Sequence, residues 1–121
     1  MVKALFDSNI LIDHLKGIAA ATAELGRYEG RAISIVTWVE RLTGATPQDI
    51  DAIRAFLERF DTIPLDQRIA EMAASLRREH RVRLPDAVIW ASARSEGRLP
   101  ITRNTKDFPS DDPGVRCPYV V

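Results

Sequence analysis

Short apolar segments alternate with amphipathic segments along most of the chain, and this alternation most constrains the fold. Four segments have the length and composition of buried strands, namely 2–6 (VKALF), 31–36 (RAISIV), 62–65 (TIPL) and 99–102 (LPIT). The segments between them carry apolar residues at helical spacing. Strands that alternate with helices favour an α/β fold around a mainly parallel sheet. The late segment CPYVV adds a candidate fifth strand, so we expect four to five strands.

The length and composition indicate one globular domain that spans residues 1–121. The 17 Lys and Arg residues balance the 17 Asp and Glu residues, so any binding to nucleic acid requires a local basic patch. Cys117 is the single cysteine, which fits a reducing compartment. The sequence shows no signal peptide and no apolar run of the ~18 residues that a membrane span needs. We therefore expect a cytoplasmic protein that does not bind membranes.

Acidic residues follow the predicted strands at positions where a parallel sheet forms sites. Asp7 follows the first strand, Glu40 comes four residues after the second, and Asp86 lies in the first turn of a late helix. Asn104 and Asp107 follow the fourth strand. Because sites in open parallel sheets form at the carboxyl ends of strands, we expect these side chains to converge.

Converging carboxylates repel one another unless a proton or a divalent cation neutralises them. Oxygen ligands suit Mg²⁺ or Mn²⁺, and the lack of a Cys/His cluster argues against zinc. Each acid also has a structural explanation. Glu40 completes a capping box with Thr37, Asp86 suits the N-terminal end of a helix dipole, and Asp7 suits a turn. The residues alone leave both interpretations open.

Four blocks of sequence, in order, resemble the PIN-domain family and, more narrowly, the VapC-type ribonuclease toxins of bacterial toxin–antitoxin modules. These blocks are FDSNILIDHL, ISIVTWVE, LPDAVIWASA and ITRNTKDF, and the similarity covers nearly the whole chain. The resemblance implies a three-layer α/β/α sandwich around a parallel sheet. It also implies cleavage of RNA phosphodiester bonds that depends on Mg²⁺ or Mn²⁺.

The resemblance also assigns roles to individual residues. Asp7, Glu40 and Asp86 match the family's three core acids, which would make them catalytic residues and metal ligands. Asn9 and Thr102 match polar residues that support the acids.

The fourth acid of the family falls in the block TRNTKDF, where Asn104 stands at a position that is often aspartate and Asp107 follows three residues later. Either residue is a candidate for the fourth catalytic position. Arg41 departs from the Leu or Val that relatives usually have after the glutamate.

The resemblance implies three kinds of partner: RNA as substrate, a VapB-like antitoxin whose tail places a basic residue among the acids, and a second copy of the chain in a homodimer. Arg103 and Lys106 flank Asn104 and are candidate RNA contacts. The segment RREHRVR (77–83) either guides an RNA backbone or forms a solvated helix end.

Three other functions compete with this interpretation. A haloacid-dehalogenase-type phosphatase needs a second aspartate where this chain has Asn9, and a response-regulator receiver needs paired acids near the first strand. The third alternative is a catalytically weak or inactive PIN-fold protein that binds RNA or acts as a scaffold. The sequence does not specify which RNA is cut.

Overall fold

The structure, a computed structural model, describes residues 2–104 and 115–120. Within these residues the strands are β1 (Ala4–Phe6), β2 (Arg31–Ser34), β3 (Asp61–Ile63) and β4 (Leu99–Ile101). The helices there are α1 (Ser8–Leu15), α2 (Ala19–Gly26), α3 (Ile35–Thr43), α4 (Ile50–Leu57), α5 (Gln67–His80) and α6 (Leu84–Ser95). The predicted alternation of strands and helices is confirmed.

The strands form one parallel sheet in the order β3-β2-β1-β4. The central strand β1 pairs with β2 on one side and with β4 on the other, and Phe6 lies opposite Ile101 in the register with β4. The carboxyl ends of β1 and β4 therefore lie side by side, which brings residues near position 7 close to residues near position 102.

Side chains of successive strand residues point to opposite faces of the sheet, and each face has its own apolar core. Leu5 and Ala32 pack on one face with residues of α5 and α6, including the fully buried Trp90. Ala4 and Phe6 pack on the other face with residues of α1, α2 and α4. This arrangement gives the predicted helix–sheet–helix sandwich.

One predicted boundary is wrong, and a helix cap explains the difference. The second strand ends at Ser34 and not at position 36, because the Ser34 hydroxyl accepts a hydrogen bond from the Val36 N–H (3.1 Å) and begins α3 there. Asp7 is the N-cap of α1. Asp66 caps α5 in the same way and accepts a hydrogen bond from the Ile69 N–H (2.8 Å).

Residues 115–120, called here the C-terminal segment, extend the sheet by a single parallel bridge between Ile101 and Arg116. Within these described residues, the predicted fifth strand is reduced to this bridge. The Thr102 N–H donates to the Arg116 carbonyl oxygen (3.0 Å). Among the residues described, no helix combines the length and apolar character needed to cross a bilayer.

Candidate active site

Asp7 occupies the centre of the candidate site, directly after the central strand. Its side chain is only 5% exposed and accepts hydrogen bonds from the Ser8 N–H (2.7 Å) and the Thr102 hydroxyl (2.7 Å). The Asn9 side-chain amide lies 3.3 Å from the same carboxylate. Because Asp7 is both an N-cap and the acceptor of two side-chain donors, its carboxylate is held in one place.

The pKa of the Asp7 carboxyl group lies above its ordinary value. Burial has the largest influence and raises the pKa, and the negative charge of Glu40 raises it further. The hydrogen bonds from Thr102 and Ser8, together with the charge of Arg83, lower the pKa but do not offset the burial. A positive charge close to Asp7 would favour its ionised form.

Glu40 lies beside Asp7, as the sequence predicted. It projects from α3, and its Oε1 atom accepts a hydrogen bond from the Ser8 hydroxyl (2.7 Å). The capping-box interpretation is wrong because Ser34 caps α3, while Thr37 and Glu40 both lie within the helix. Glu40 therefore has no capping role, and Ser8 joins it to the N-terminal end of α1.

Asp86 lies in the first turn of α6, as predicted, and is 6% exposed. The Arg83 guanidinium donates to its Oδ2 atom from Nε (3.3 Å), and Nη2 lies 3.2 Å from that oxygen. The same guanidinium lowers the pKa of Asp7, so its charge acts on both acids. Arg83 thus connects Asp86 electrostatically with the pair formed by Asp7 and Glu40.

Thr102 and Asn9 support Asp7 through a network that the structure places at the end of β4. Thr102 is 1% exposed, and its hydroxyl accepts hydrogen bonds from the Asn9 amide (3.2 Å) and the Asn104 N–H (2.9 Å). The Asn9 Oδ1 atom in turn accepts from the Arg103 N–H (3.1 Å). The supporting position predicted for Asn9 and Thr102 agrees with these contacts.

Asn104 is half-buried at this end of the sheet, next to Thr102. Asp107 and Lys106 lie outside the described residues. The guanidinium of Arg103 is paired with Asp13, so its assignment as an RNA contact stays a prediction. Arg41 is half-buried on α3, and among the described residues its buried Nε atom has no hydrogen-bond partner.

The contacts of Asp7, Glu40 and Asp86 indicate which of these acids could share a metal ion. In residues 2–104 and 115–120, no three carboxylate, histidine or cysteine side chains form a group that could hold a metal ion. Of the three predicted acids, Asp7 and Glu40 lie beside each other, whereas Asp86 is paired with Arg83. Two neighbouring carboxylates, one of them buried, supply the oxygen ligands that a hard divalent cation prefers.

Two features of the site were not predicted from the sequence. One is Ser8, which joins Glu40 to α1, and the other is the pairing of Arg83 with Asp86. The spacing of three residues across the start of α6 is a local signal for the second pairing. The contact of Ser8 with Glu40 spans 32 positions and has no local signal.

Comparison with known proteins agrees with the fold. Residues 4–110 match the family model of the PIN domain. The chain therefore belongs to the PIN-domain family.

Two curated relatives indicate the class of PIN-domain protein to which the chain is similar in sequence. The chain is 32% identical over 120 residues to the tRNA(fMet)-specific endonuclease VapC of Shigella flexneri, with 89% of this chain and 91% of the relative covered. It is 34% identical over 113 residues to the ribonuclease VapC10 of Mycobacterium tuberculosis, covering 87% of this chain and 85% of the relative. The chain is thus placed among the VapC-type ribonucleases, as the four sequence blocks predicted.

A solved structure described as a toxin–antitoxin complex from Klebsiella pneumoniae contains a chain with the same fold. The two chains superpose with a TM-score of 0.93 at 42% identity, covering 98% of this chain and all of the other (100%). A VapBC-5 complex from Mycobacterium tuberculosis matches with a TM-score of 0.64 at 28% identity, covering 99% and 100% of the two chains.

Proposed function

We propose that this chain is a toxin that hydrolyses RNA phosphodiester bonds with a divalent cation, Mg²⁺ or Mn²⁺, held by Asp7, Glu40 and Asp86. The observation that carries the proposal is the buried Asp7 carboxylate, fixed at the carboxyl end of the central strand beside Glu40. Asp107 and Asn104 remain the two candidates for the fourth catalytic position. A single PIN domain over residues 1–121 belongs to the same proposal.

When bound, the cation would neutralise charge on the scissile phosphate and favour ionisation of a nearby water. The chain's own residues have complementary tasks. Thr102 and the Ser8 N–H favour the ionised form of Asp7 and fix its orientation, and Asn9 joins the two. Arg83 supplies a positive charge next to Asp86. Because its side chain is 72% exposed, this charge is also accessible to an incoming RNA phosphate. Attack by water would leave a 5′-phosphate and a 3′-hydroxyl.

We also propose that a VapB-like antitoxin restrains the enzyme. The support is the likeness to the chain in the Klebsiella pneumoniae toxin–antitoxin complex, together with the acidic pair, which would attract a basic side chain. A homodimer and a cytoplasmic location belong to the same proposal. Weak RNA contacts through Arg103 and Lys106 belong to the same proposal.

The proposal is tested by RNA cleavage in Mg²⁺ and in Mn²⁺ with single amide substitutions. Asp7→Asn, Glu40→Gln and Asp86→Asn should each reduce cleavage to background, because each removes a charged oxygen ligand. Asp66→Asn is the matched control: Asp66 is exposed and caps α5, and asparagine caps a helix equally well. Its cleavage rate should equal that of the parent.

The same assay separates the enzyme from the scaffold alternative. Cleavage by Asp7→Asn at the parental rate would refute the assignment of the metal site. Binding of RNA by the parent without any cleavage in either metal would instead favour a catalytically inactive PIN-fold protein.

A further inference from the structure

A second buried carboxylate lies next to the candidate site and takes no direct part in it. Asp13 is 3% exposed on α1, and its two oxygens accept hydrogen bonds from the Arg103 guanidinium, through Nε and through Nη2 (3.1 Å). The Tyr119 hydroxyl also donates to Asp13 (2.8 Å). These three side chains, called here the Asp13 cluster, join α1 to the end of β4 and to the C-terminal segment.

The charged groups of the Asp13 cluster stabilise each other's ionised forms. Burial raises the pKa of the Asp13 carboxyl group, but hydrogen bonds from Arg103 and Tyr119 lower it more, so the net direction is downward. The pKa of the Arg103 guanidinium is raised by the same pairing. Both groups are therefore charged near neutral pH, and a two-point bond between a guanidinium and a carboxylate is among the most directional in proteins.

The cluster is connected to the site by the backbone of Arg103. Its N–H donates to Asn9 Oδ1 (3.1 Å), and the Asn9 amide donates to Thr102 Oγ1 (3.2 Å) and lies 3.3 Å from Asp7 Oδ2. Asp13 fixes the Arg103 side chain, which in turn limits how far the Arg103 N–H and Thr102 can move. A continuous path of hydrogen bonds thus leads from Tyr119 and Asp13 to Asp7.

We propose that Asp13 and Tyr119 are positioning residues, which act through Arg103 and Asn9 to hold the Asp7 carboxylate in its catalytic orientation. The inference rests on the proposed nuclease function and adds to it a group outside the acids. It gives Arg103 an internal task, in which its side chain ties the end of β4 to α1. The C-terminal segment thereby becomes part of the support of the site.

The chain contains a matched control cluster. Glu24 is 3% exposed on α2, accepts two bonds from the Arg116 guanidinium (2.6 and 3.0 Å), and accepts one from the Tyr28 hydroxyl (3.1 Å). The chemistry is the same, a buried acid with an arginine and a tyrosine. The Glu24 cluster reaches the site by a different route, because the Arg116 carbonyl oxygen accepts from the Thr102 N–H. Among the described residues, the hydrogen bonds of Tyr28 and Glu24 do not involve Asn9 or Arg103. Tyr28→Phe therefore removes an equivalent phenol without touching the route through Arg103 and Asn9.

The test compares Tyr119→Phe and Asp13→Asn with Tyr28→Phe, each assayed well below its melting temperature and per folded molecule. We expect kcat for RNA to fall about tenfold or more in Asp13→Asn and severalfold in Tyr119→Phe, the range found for residues that orient ligands. KM for RNA should stay within about twofold of the parent if RNA binding is unaffected. Tyr28→Phe should keep the parental kcat. Tyr119→Phe decides the question if Asp13→Asn does not fold.

A second measurement does not depend on activity. In metal-free protein, the side-chain amide signals of Asn9 in a ¹H–¹⁵N spectrum should shift in Tyr119→Phe and stay in place in Tyr28→Phe. Unchanged kcat with unmoved Asn9 signals would overturn the positioning role, as would a loss confined to KM. Failure of the parent to cut RNA would count against the nuclease, while the Asn9 signals would still report on the path from Asp13.

Discussion

Thr102→Val is the substitution whose effect follows most directly from the structure. Valine keeps the shape of threonine but lacks the hydroxyl, and Thr102 is 1% exposed. Its hydroxyl donates to the Asp7 carboxylate (2.7 Å) and accepts from the Asn9 amide (3.2 Å) and from the Asn104 N–H (2.9 Å). The variant therefore loses three hydrogen bonds at a buried position while its packing is unchanged.

The size of the loss follows from the kinds of bond removed. A hydrogen bond to a charged group contributes about 1.5–3 kcal/mol, and one between neutral groups contributes about 1 kcal/mol. The Asn9 amide remains close to Asp7, so we count only the bonds to Asp7 and to the Asn104 N–H. The free energy of unfolding should fall by about 2.5–4 kcal/mol, a drop in melting temperature of about 10–16 °C.

The loss should also depend on pH, with a sign fixed by Asp7. The Thr102 hydroxyl lowers the pKa of Asp7, which burial raises, so the variant's Asp7 has a pKa that is higher still. The lost bond stabilises the ionised carboxylate. The difference between parent and variant is therefore largest above the folded pKa of Asp7 and narrows as the pH falls through it.

Thr37→Val is the matched control for this experiment. Thr37 is also fully buried (0% exposed), but among the described residues its hydroxyl has no hydrogen-bond partner. Removing it should leave the free energy of unfolding unchanged or raise it by up to about 1 kcal/mol. Urea unfolding of the parent and both variants at several pH values gives the comparison. Equal losses in Thr102→Val and Thr37→Val, or a loss that does not vary with pH, would refute the reasoning.

Three further predictions concern stability, each read from urea or thermal unfolding. Asp66→Ala removes the cap of α5 and should cost about 1 kcal/mol, and no loss would show that the cap is not needed. Arg81→Gly should raise stability by about 0.5–1 kcal/mol, because Arg81 ends α5 at φ 56°, where glycine is not strained; a loss would contradict this. Burial raises the pKa of Glu24, but the hydrogen bonds and the charge of Arg116 lower it by more, so the net direction is downward. The contribution of Glu24 to stability is therefore present above its unfolded pKa of about 4.3 and is lost as the pH falls through its folded pKa. Glu24→Gln should therefore differ from the parent most at neutral pH and least in acid, and a constant difference would contradict the assignment.

The sequence predicted those parts of the site that depend on local signals. Asp7 follows an apolar run, and Asp86 follows a proline in the first turn of a helix, so the position of each relative to its own element could be read directly. The parallel sheet then follows from the alternation of strands and helices, and it brings the ends of β1 and β4 together. These steps use only local patterns and the geometry of parallel sheets.

The parts that could not be predicted depend on contacts between distant residues or on competition between local signals. Ile35 and Val36 favour a strand by their β-branched side chains, but the Ser34 cap begins a helix before them. Asp13 lies on an amphipathic helix and looks like a solvated acid, yet its partner Arg103 is 90 positions away. The sequence therefore suggests only a contact with RNA for Arg103, and its pairing with Asp13 becomes visible only in the fold.

The central claim, that Asp7 belongs to a site for a divalent cation, is tested most directly by calorimetric titration of Mn²⁺ into the purified chain without RNA. The parent should bind the ion, Asp7→Asn should bind it at least tenfold more weakly, and the distant Asp66→Asn should bind it as the parent does. Equal affinity of the parent and Asp7→Asn would contradict the assignment, because the buried carboxylate would then make no contribution to holding the ion.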